Sequence, residues 1–392
     1  KGHGAGSCCP SPMSLHRCRV EIEEVGDITL GLGTNNAISK TSSVTLLQGG
    51  CMDLHGTTQT INNLSVAVGS SVIDSSENGD GVLNVSLSEN QSWNGSLTAR
   101  EIVVNTVNAS NQLNLGGSAS YDTMQIGKGM TVMLGKDNAL SALGTTYVQS
   151  GAVLNTNGKS TEGNIVVESG GKVTANVSGN SFSGVVTLQQ GGTMEFKEGG
   201  NMTAASTLVS DGGSITGHAF NLNGYTLIQG GTTTISGDSQ REGGVGIGGT
   251  VEIADGAAIK LMEGYFSIPF MEIWTWFTIS SAEFNAVQKT DEDGKLIEST
   301  GKLVVHTNDL RLQGENQNFG GVVELVNGNH FKTTQISADK GVKSFNRLVI
   351  DTNDAQFYQT NQRKEHLASG ADWIIDHLDG STGSLTASLD NK

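Results

Sequence analysis

Basic residues are scarce in this sequence, and so are cysteines, prolines and aromatic residues. Among 392 residues there are 23 lysines and arginines against 39 acidic residues, which gives a formal net charge of −16. Nucleic acids and anionic membrane surfaces are bound through clustered cations. We therefore expect neither a nucleic acid nor an anionic membrane as a partner.

No apolar run is long enough to cross a membrane as a helix. The most hydrophobic stretch, residues 265–279, contains Pro269 and Glu272, and a membrane helix needs about 20 apolar residues. We interpret the stretch as buried strand and expect no transmembrane segment in this chain. Because residue 1 is Lys1 rather than Met, we expect a processed form, an engineered piece or a fragment of a longer reading frame. No cationic segment followed by an apolar run opens the sequence, so it does not indicate secretion directly.

Three of the 4 cysteines lie within the first 18 residues. Cys8, Cys9 and Cys18 stand near His3 and His16, which permits a zinc site as one interpretation. The spacing lacks the paired C-x2-C units that place thiolates tetrahedrally around zinc. We therefore expect an unpaired or disulfide-forming tail here, and no metal.

Glycine, by contrast, is abundant. The chain has 54 glycines and only 3 prolines, together with many serines, threonines and asparagines, which favours short turns between strands. Gly-Gly pairs recur, the first of them ending at Gly50. Later second glycines follow at intervals of 21, 21, 18 and 18 residues, at Gly171, Gly192, Gly213, Gly231 and Gly249. Glycine turns sharply at little steric cost, so we expect these residues at the corners of a repeating coil.

Alternating residues flank each of these later pairs. Positions two and four after the second glycine are mostly apolar: Val173, Ala175, Met194, Phe196, Ile215, Gly217, Thr233, Ile235, Val251 and Ile253. The residues between them are polar: Thr174, Glu195, Thr216, Thr234 and Glu252. A further apolar position lies four residues before the glycine: Val167, Leu188, Val209, Leu227 and Val245. Alternate residues of a strand share a face, so we expect the apolar sets inside and the polar set outside.

A fixed period near 20 residues favours a parallel coil over a meander of hairpins, which would show two-residue turns between strands of matched length. At one strand spacing per coil, about 4.8 Å, residues 44–261 would form on the order of 11 coils. A single coil cannot bury its apolar face alone. We therefore expect stability to come from stacking between coils, with caps at the ends.

We predict an all-β chain in four parts. These are an irregular N-terminal segment or cap (1–40), a parallel β-helix (41–264), an aromatic-rich insertion or plug (265–300) and further, less regular β coils (301–392). The third part opens with a cluster of six aromatic residues: Tyr265, Phe266, Phe270, Trp274, Trp276 and Phe277. If exposed, they would stack on sugar rings or a host protein. We favour the other interpretation, a plug that buries them.

Residues 44–95 resemble the autotransporter-associated β-strand repeat of bacterial passenger domains. The leading motif is the segment Leu47–Gly56, which carries Gly-Gly, Asp-Leu and a final Gly. The closing motif, aromatic-x-Gly, occurs three times: at Trp93 and Gly95, at Phe182 and Gly184, and at Phe319 and Gly321.

This resemblance implies a right-handed parallel β-helix displayed outside the cell. It further implies an extracellular or cell-surface location, at the outer membrane of a Gram-negative bacterium. The body of the chain has a single cysteine, Cys51. That suits an exported surface protein that is held together by stacking rather than by disulfide bridges.

We find no constellation typical of catalysis and expect no catalytic residue and no cofactor. Glu195 has only threonines at the matching positions of neighbouring coils, so no carboxylate pair for acid and base catalysis emerges. Segments 77–81 and 290–299 have acidic oxygens near a glycine, but they lack the ligand order of an EF-hand and are interpreted as turns. The Gly-rich segment 241–250 lacks the lysine of a phosphate-binding loop.

Two functions remain open. The first is a non-catalytic rod of structural or adhesive role, whose polar outer face contacts host or bacterial surface glycans, proteins or sister molecules. The second is a polysaccharide lyase, a hydrolase or a carbohydrate-binding protein on the same scaffold. Fold alone does not separate them. The lack of a stacked acidic pair favours the rod.

Overall fold

The computed structural model contains strands and no helix in the part of the chain it describes. Described are residues 19–22, 28–175, 181–197, 199–237, 243–254, 256–262, 265–268, 271–279, 283–286, 289–290, 296–297, 301–306, 309–312, 317–326, 333–338, 341–352, 354–359, 372–380 and 384–388. In these ranges no helix has the length and apolarity needed to cross a membrane. Two compact units divide the chain: Lys1–Val166 with Gly170–Lys172, and Val167–Ser169 with Val173–Lys392.

The first unit contains short strands of two to six residues. In chain order they are β1 Arg19–Ile22, β2 Ile28–Gly31, β3 Ser43–Leu46, β4 Gly50–Asp53, β5 Thr58–Ile61, β6 Asn63–Val66, β7 Ser71–Ile73, β8 Val82–Leu87, β9 Gln91–Trp93, β10 Ser96–Thr98, β11 Glu101–Thr106, β12 Gln112–Leu115, β13 Ala119–Ser120, β14 Thr123–Ile126, β15 Thr131–Leu134, β16 Thr145–Val148 and β17 Val153–Asn155.

The division between the units falls within β18 Asn164–Val167 and β19 Lys172–Ala175. The second unit continues with β20 Ser181–Phe182, β21 Val185–Leu188, β22 Thr193–Phe196, β23 Gly200–Met202, β24 Thr207–Asp211, β25 Ser214–Gly217, β26 Phe220–Leu222, β27 Tyr225–Gly230, β28 Thr232–Gly237, β29 Gly243–Ile247, β30 Thr250–Ile253, β31 Ala258–Met262, β32 Tyr265–Ile268, β33 Met271–Ile279, β34 Glu283–Ala286, β35 Lys289–Thr290, β36 Leu296–Ile297, β37 Lys302–His306, β38 Asp309–Leu312, β39 Gln317–Val326, β40 Thr333–Ala338, β41 Val342–Asp351, β42 Asp354–Gln359, β43 Asp372–Gly380 and β44 Ser384–Ser388.

Three stacks of parallel strands build the first unit. Stack A contains β5, β8, β11, β14 and β16; stack B contains β1, β3, β6, β9, β12, β15 and β17; stack C contains β2, β4, β7, β10 and β13. From β5 to β13, the chain passes through A, B and C in that order, whereas the coils of β14–β15 and β16–β17 contain no strand of stack C. Equivalent residues therefore lie over one another, as where Ile102 pairs with Leu83 below and Met124 above. The predicted parallel coil is confirmed.

The second unit has the same three-stack order. Its stack A runs through β21, β24, β27, β30 and β34, its stack B through β22, β25, β28, β31 and β37, and its stack C through β20, β23, β26, β29, β33, β38, β40, β42 and β44. The long strand β39 takes part in both A and B, pairing with β34 at Phe319 and with β37 at Val322. The register against β41 shifts between these two residues, so a bulge bends the strand at the corner.

Antiparallel pairing occurs at two places within the described strands. β35 and β36 pair antiparallel within the segment 290–299 and the residue before it; residues 291–295, where the sequence predicts the turn, lie outside the described residues. β32 pairs antiparallel with β33, and β33 also pairs in parallel with β29 and β38. Within the aromatic segment, β33 is therefore a member of stack C, and β32 pairs with it. The side chains of this segment lie outside the description, so the choice between plug and binding surface stays a prediction.

The predicted inner and outer faces follow the observed burial closely. Every residue at positions two and four after the second glycine is buried, from Val173 and Met194 to Val251 and Ile253. Members of the outer set are half-buried, apart from Thr174, which is buried. Burial of alternate apolar residues thus fixes the orientation of each strand, as expected from the period of two.

Two of the positions predicted relative to the second glycine of each pair are wrong. Val209 and Leu227 were expected inside, but they face outward, because Leu188 pairs with Ser210, and Ser210 takes the inner position. The prediction also gave Gly249 and Gly213 the same corner of the coil. β25, directly after Gly213, belongs to stack B, whereas β30, directly after Gly249, belongs to stack A. Coils of unequal length displace the glycines from corner to corner, so a glycine pair alone does not define the register.

The lower edge of β5 is covered by two asparagines of the N-terminal segment. The backbone N–H groups of Thr58 and Thr60 donate to Asn35 Oδ1 and Asn36 Oδ1, at 2.9 and 3.1 Å. Asn36 N–H donates in turn to the carbonyl of Thr58 at 2.8 Å. Side-chain amides here take the place of a preceding strand, which protects an edge that would otherwise pair with another chain.

Two neighbouring residues of stack B in the second unit should differ sharply in how their substitution changes stability. Phe196 is fully buried, and Phe196→Asp would leave both a cavity and a buried carboxylate, with an expected cost of at least about 4 kcal/mol. Glu195→Gln, one residue away on the outer face, should change stability by less than about 0.5 kcal/mol. Urea unfolding followed by circular dichroism measures both. Equal tolerance of the two substitutions would contradict the assignment of faces.

Candidate functional site

The predicted corner glycines have two distinct roles. Where a Gly-Gly pair precedes β4, β19, β22 and β25, the first glycine has the positive φ: Gly49, Gly170, Gly191 and Gly212. The second glycine of these pairs, as at Gly192, lies where a Cβ atom would come within 2.6 Å of the Val167 carbonyl. Gly231 and Gly249 differ, since each has a positive φ itself. Both roles are structural.

The three aromatic-x-Gly units do not occupy one position of the coil. Trp93 lies in stack B, Phe182 in stack C, and Phe319 in the stack A part of β39. All three side chains are buried. Trp93 Nε1 donates to the Leu64 carbonyl at 2.8 Å, and the Phe182 ring meets Phe196 edge-on at 6.2 Å. These aromatic residues fill the interior of the coils and are not a binding surface.

The outer carboxylates Glu195 and Glu252 have different neighbours. Glu195 pairs across the stack with Thr216, as expected. Glu252 lies beside Leu227, and it accepts a hydrogen bond from the Tyr225 hydroxyl at 2.6 Å. Burial and the neighbouring Glu252 carboxylate together raise the pKa of Tyr225 to about 12.

Asp53, His55 and Ser75 meet at a corner of the first unit, and these are the residue types of a hydrolase triad. A triad requires the imidazole to accept the serine proton and the carboxylate to orient the imidazole. Here Ser75 Oγ donates to Asp53 Oδ2 at 2.6 Å, while His55 Nδ1 lies 3.1 Å from Ser75 Oγ. The carboxylate also accepts the N–H groups of His55 and Ser75, both at 3.0 Å. The group stabilises the corner and does not activate the serine.

Asp74 holds the loop of residues 74–81 in place. Its carboxylate accepts the backbone N–H groups of Gly56, at 2.7 Å, and Gly81, and the hydroxyl of Ser76 at 2.9 Å. Burial raises the pKa of Asp74, but the hydrogen bonds from Gly81, Gly56 and Ser76 outweigh burial and leave the pKa below its ordinary value of 3.8. The predicted turn at residues 77–81 is confirmed, and the acidic oxygens of Asp74 serve the backbone.

The loop 74–81 forms one wall of a cleft of about 570 Å³ in the first unit. Two neighbouring coils pass from stack C to stack A with two-residue corners, residues 99–100 and 121–122. The coils on either side have longer connections: residues 74–81 join stack C to stack A, and residues 135–144 lead from β15 of stack B to β16 of stack A without a strand of stack C. The cleft is therefore a notch two coils wide, whose walls stand three strand spacings apart, about 14 Å.

The floor of the cleft offers both hydrogen-bond donors and hydrogen-bond acceptors. Thr98 and Ser120 face outward from β10 and β13, and Arg100 and Asp122 follow at the corners, exposed. Backbone hydrogen bonds fix the corners, from Arg100 N–H to the Gly81 carbonyl (2.8 Å) and from Asp122 N–H to the Arg100 carbonyl (3.0 Å). Among the described residues, neither the Arg100 guanidinium nor the Asp122 carboxylate has an ion-pair or hydrogen-bond partner.

Tyr121 anchors the opposite wall. Its ring lies beneath the cleft floor, with the hydroxyl 2.6 Å from Thr146 Oγ1 in the next coil. Burial raises the pKa of Tyr121 to about 12, although its hydrogen bonds to Thr146 and the Ser141 backbone act in the other direction. The hydroxyl thus stays protonated and fixes residues 139–144, from which Leu143 projects with 96% of its surface exposed.

Asn138 and Glu162 complete this wall. Asn138 Nδ2 donates to Glu162 Oε1 at 2.7 Å, and the Asn138 N–H donates to the Ser160 carbonyl at 2.9 Å. Among the described residues, only Oε1 of Glu162 accepts a hydrogen bond, so the second oxygen remains available as an acceptor. Together with Asn78 of the facing loop, the cleft presents amides, hydroxyls, carboxylates and one guanidinium.

Metal ligands do not converge in the described ranges, where no three His, Cys, Asp or Glu side chains lie close enough to hold an ion. Cys8, Cys9 and Cys18 lie outside those ranges. Cys51 is a free, half-buried thiol in β4. No protein-family model matches the chain, and no curated protein matches it either.

Sequence reasoning missed the cleft entirely. The signal was present in the dipeptides Ala99-Arg100 and Tyr121-Asp122, which are 22 residues apart and each directly precede a strand of stack A. Neither contains glycine, so a search for Gly-Gly corners passes over them. Only the lengths of the neighbouring connections show that these short corners lie at the bottom of a notch.

The hydrogen bonds to the Asp74 carboxylate predict that the stability of the loop 74–81 depends on pH. Because the folded pKa of Asp74 is lowered, the stabilisation is fully present above pH 3.8 and is lost as the pH falls through the folded pKa. Asp74→Asn removes a carboxylate oxygen that accepts these hydrogen bonds. The free energy of opening the loop at pH 7 should therefore fall by about 1 kcal/mol, a modest amount because water reaches the site. Amide hydrogen exchange of residues 74–81, compared with the parent chain at each pH, measures this.

The difference between Asp74→Asn and the parent chain should shrink near pH 3. Asp80→Asn is the matched control, because Asp80 is exposed in the same loop and its substitution should leave exchange unchanged. A difference that stays constant between pH 7 and pH 3 would contradict the role of the ionised carboxylate.

Proposed function

We propose that this chain is a non-catalytic, surface-exposed β-solenoid of the autotransporter passenger type, which mediates adhesive contacts with cell-surface glycans, proteins or sister molecules. The observation that carries the proposal is the chemistry of the outer faces. Apolar columns fill the interior of each unit, while the outside carries polar side chains that are hydrogen-bonded to one another from coil to coil.

Ladders of this kind occur in both units. In the first, Gln125 Nε2 donates to Glu101 Oε1 at 2.8 Å, and Gln149 Nε2 donates to Gln125 Oε1 at 3.2 Å. In the second, Asn223 Nδ2 donates to Asn201 Oδ1 at 2.7 Å. Each rung repeats at the strand spacing, so a single weak contact is multiplied along a stiff surface. Repeated weak contacts give strong attachment only when many are engaged together.

A polysaccharide-active or carbohydrate-binding protein is the second candidate, and the cleft favours it. Both Asp122 and Glu162 line this cleft, and glycoside hydrolysis uses two carboxylates on either side of the scissile bond. The two proposals differ in what happens to the polysaccharide. A rod leaves it intact, whereas an enzyme releases new reducing ends or unsaturated products.

Beads coated with the purified chain test the adhesive proposal. We expect coated beads to attach to mammalian or bacterial cells, or to one another, with a steep dependence on coating density, because the contacts are multivalent. Beads that carry the Phe196→Asp variant control for unspecific attachment. Incubation with soluble polysaccharides should release no reducing ends.

Either of two outcomes would contradict the proposal. Coated beads that fail to attach at any density would remove the adhesive role. Release of reducing ends that is lost in both Asp122→Asn and Glu162→Gln would establish the enzyme instead.

A further inference from the structure

We propose that the cleft of the first unit binds a neutral carbohydrate, one or two sugar rings in length. This inference rests on the proposed contact role and names the ligand class and the site. Sugars present vicinal hydroxyls that both donate and accept, and proteins bind them through planar polar groups held in fixed positions. The cleft supplies such groups from five successive coils.

The donors and acceptors are held in place by the backbone. Arg100 and Asp122 stand one strand spacing apart, about 4.8 Å, on corners that are hydrogen-bonded to each other. That spacing suits two neighbouring hydroxyls of one ring, one accepting from the guanidinium and one donating to the carboxylate. Both side chains are exposed and need not break an existing ion pair to bind.

The charge of the cleft selects against acidic sugars. Asp74, Asp122 and Glu162 face the cleft with Arg100 as the one cation of its lining. A uronic acid or a sulfated sugar would meet this excess of carboxylates, and the chain as a whole has a net charge of −16. Hydroxyls avoid this repulsion, because they donate to carboxylates without adding negative charge.

One wall offers an apolar surface beside these polar groups. Leu143 projects almost fully exposed next to Ala142, and an exposed leucine costs solubility without adding to the core. The C–H face of a pyranose ring is apolar, so Leu143 can cover it while the ring hydroxyls bind the floor. The volume of about 570 Å³ lies within the ordinary range for small-molecule sites.

Saturation-transfer NMR with the full chain tests this site. The probes are cellobiose, maltose, lactose and chitobiose at millimolar concentration, and a uronic-acid disaccharide of the same size. We expect at least one neutral disaccharide to bind and the acidic one to bind at least tenfold more weakly. Asp122→Ala and Leu143→Ser should each weaken binding at least tenfold, whereas the control Asp80→Asn should bind like the parent chain.

Circular dichroism of each variant shows that it is folded before binding is compared. Two results would overturn the inference: no neutral disaccharide bound, or binding that is unchanged in both Asp122→Ala and Leu143→Ser. Stronger binding of the acidic sugar would overturn it as well. If beads attach while the cleft binds no sugar, the site is wrong and the adhesive role stands. If the cleft binds but beads do not attach, only the site stands.

Discussion

The hydrogen bonds between successive coils are the interaction on which the rest of the structure depends. A strand of two to six residues cannot satisfy its own N–H and C=O groups, and each coil is too small to bury its apolar face. Both needs are met by the coil before and the coil after. This is why Ile102 pairs with Leu83 and Met124, and why the interior of each unit is a set of columns rather than a single packed centre.

The same dependence creates an edge problem at the first coil. Among the described strands, none precedes β5 in stack A, and its lower edge would be an open template for another chain. Asn35 and Asn36 solve this with side-chain amides whose oxygens accept the strand N–H groups. A cap of this kind ends the stack in one direction. Gln59 is buried beside the cap, and its Nε2 donates to the Thr34 carbonyl at 2.8 Å, which holds the capping loop against the interior.

The sequence predicted what the strand period determines. Alternation of apolar and polar residues identified the inner face from Val173 to Ile253, because the period of two survives any change in corner length. It failed where corner length itself mattered. Gly249 was assigned to the wrong corner, since a coil that gains or loses residues moves its glycine pair while the strand register is kept. The cleft was missed for the same reason, because it exists only as a difference between the connections of neighbouring coils.

Corners are accordingly the place where a stack of this kind acquires specificity. Strands must resemble their neighbours to pair and pack, so a change that suits a ligand is opposed by the coil above and the coil below. A corner is bound by no such rule, provided that its backbone hydrogen bonds are kept. Arg100 and Asp122 meet that condition: their backbones complete the ladder between coils, so their side chains are not needed to hold the coils together. The rigidity that makes the outer faces repetitive would also hold the proposed sugar site in place.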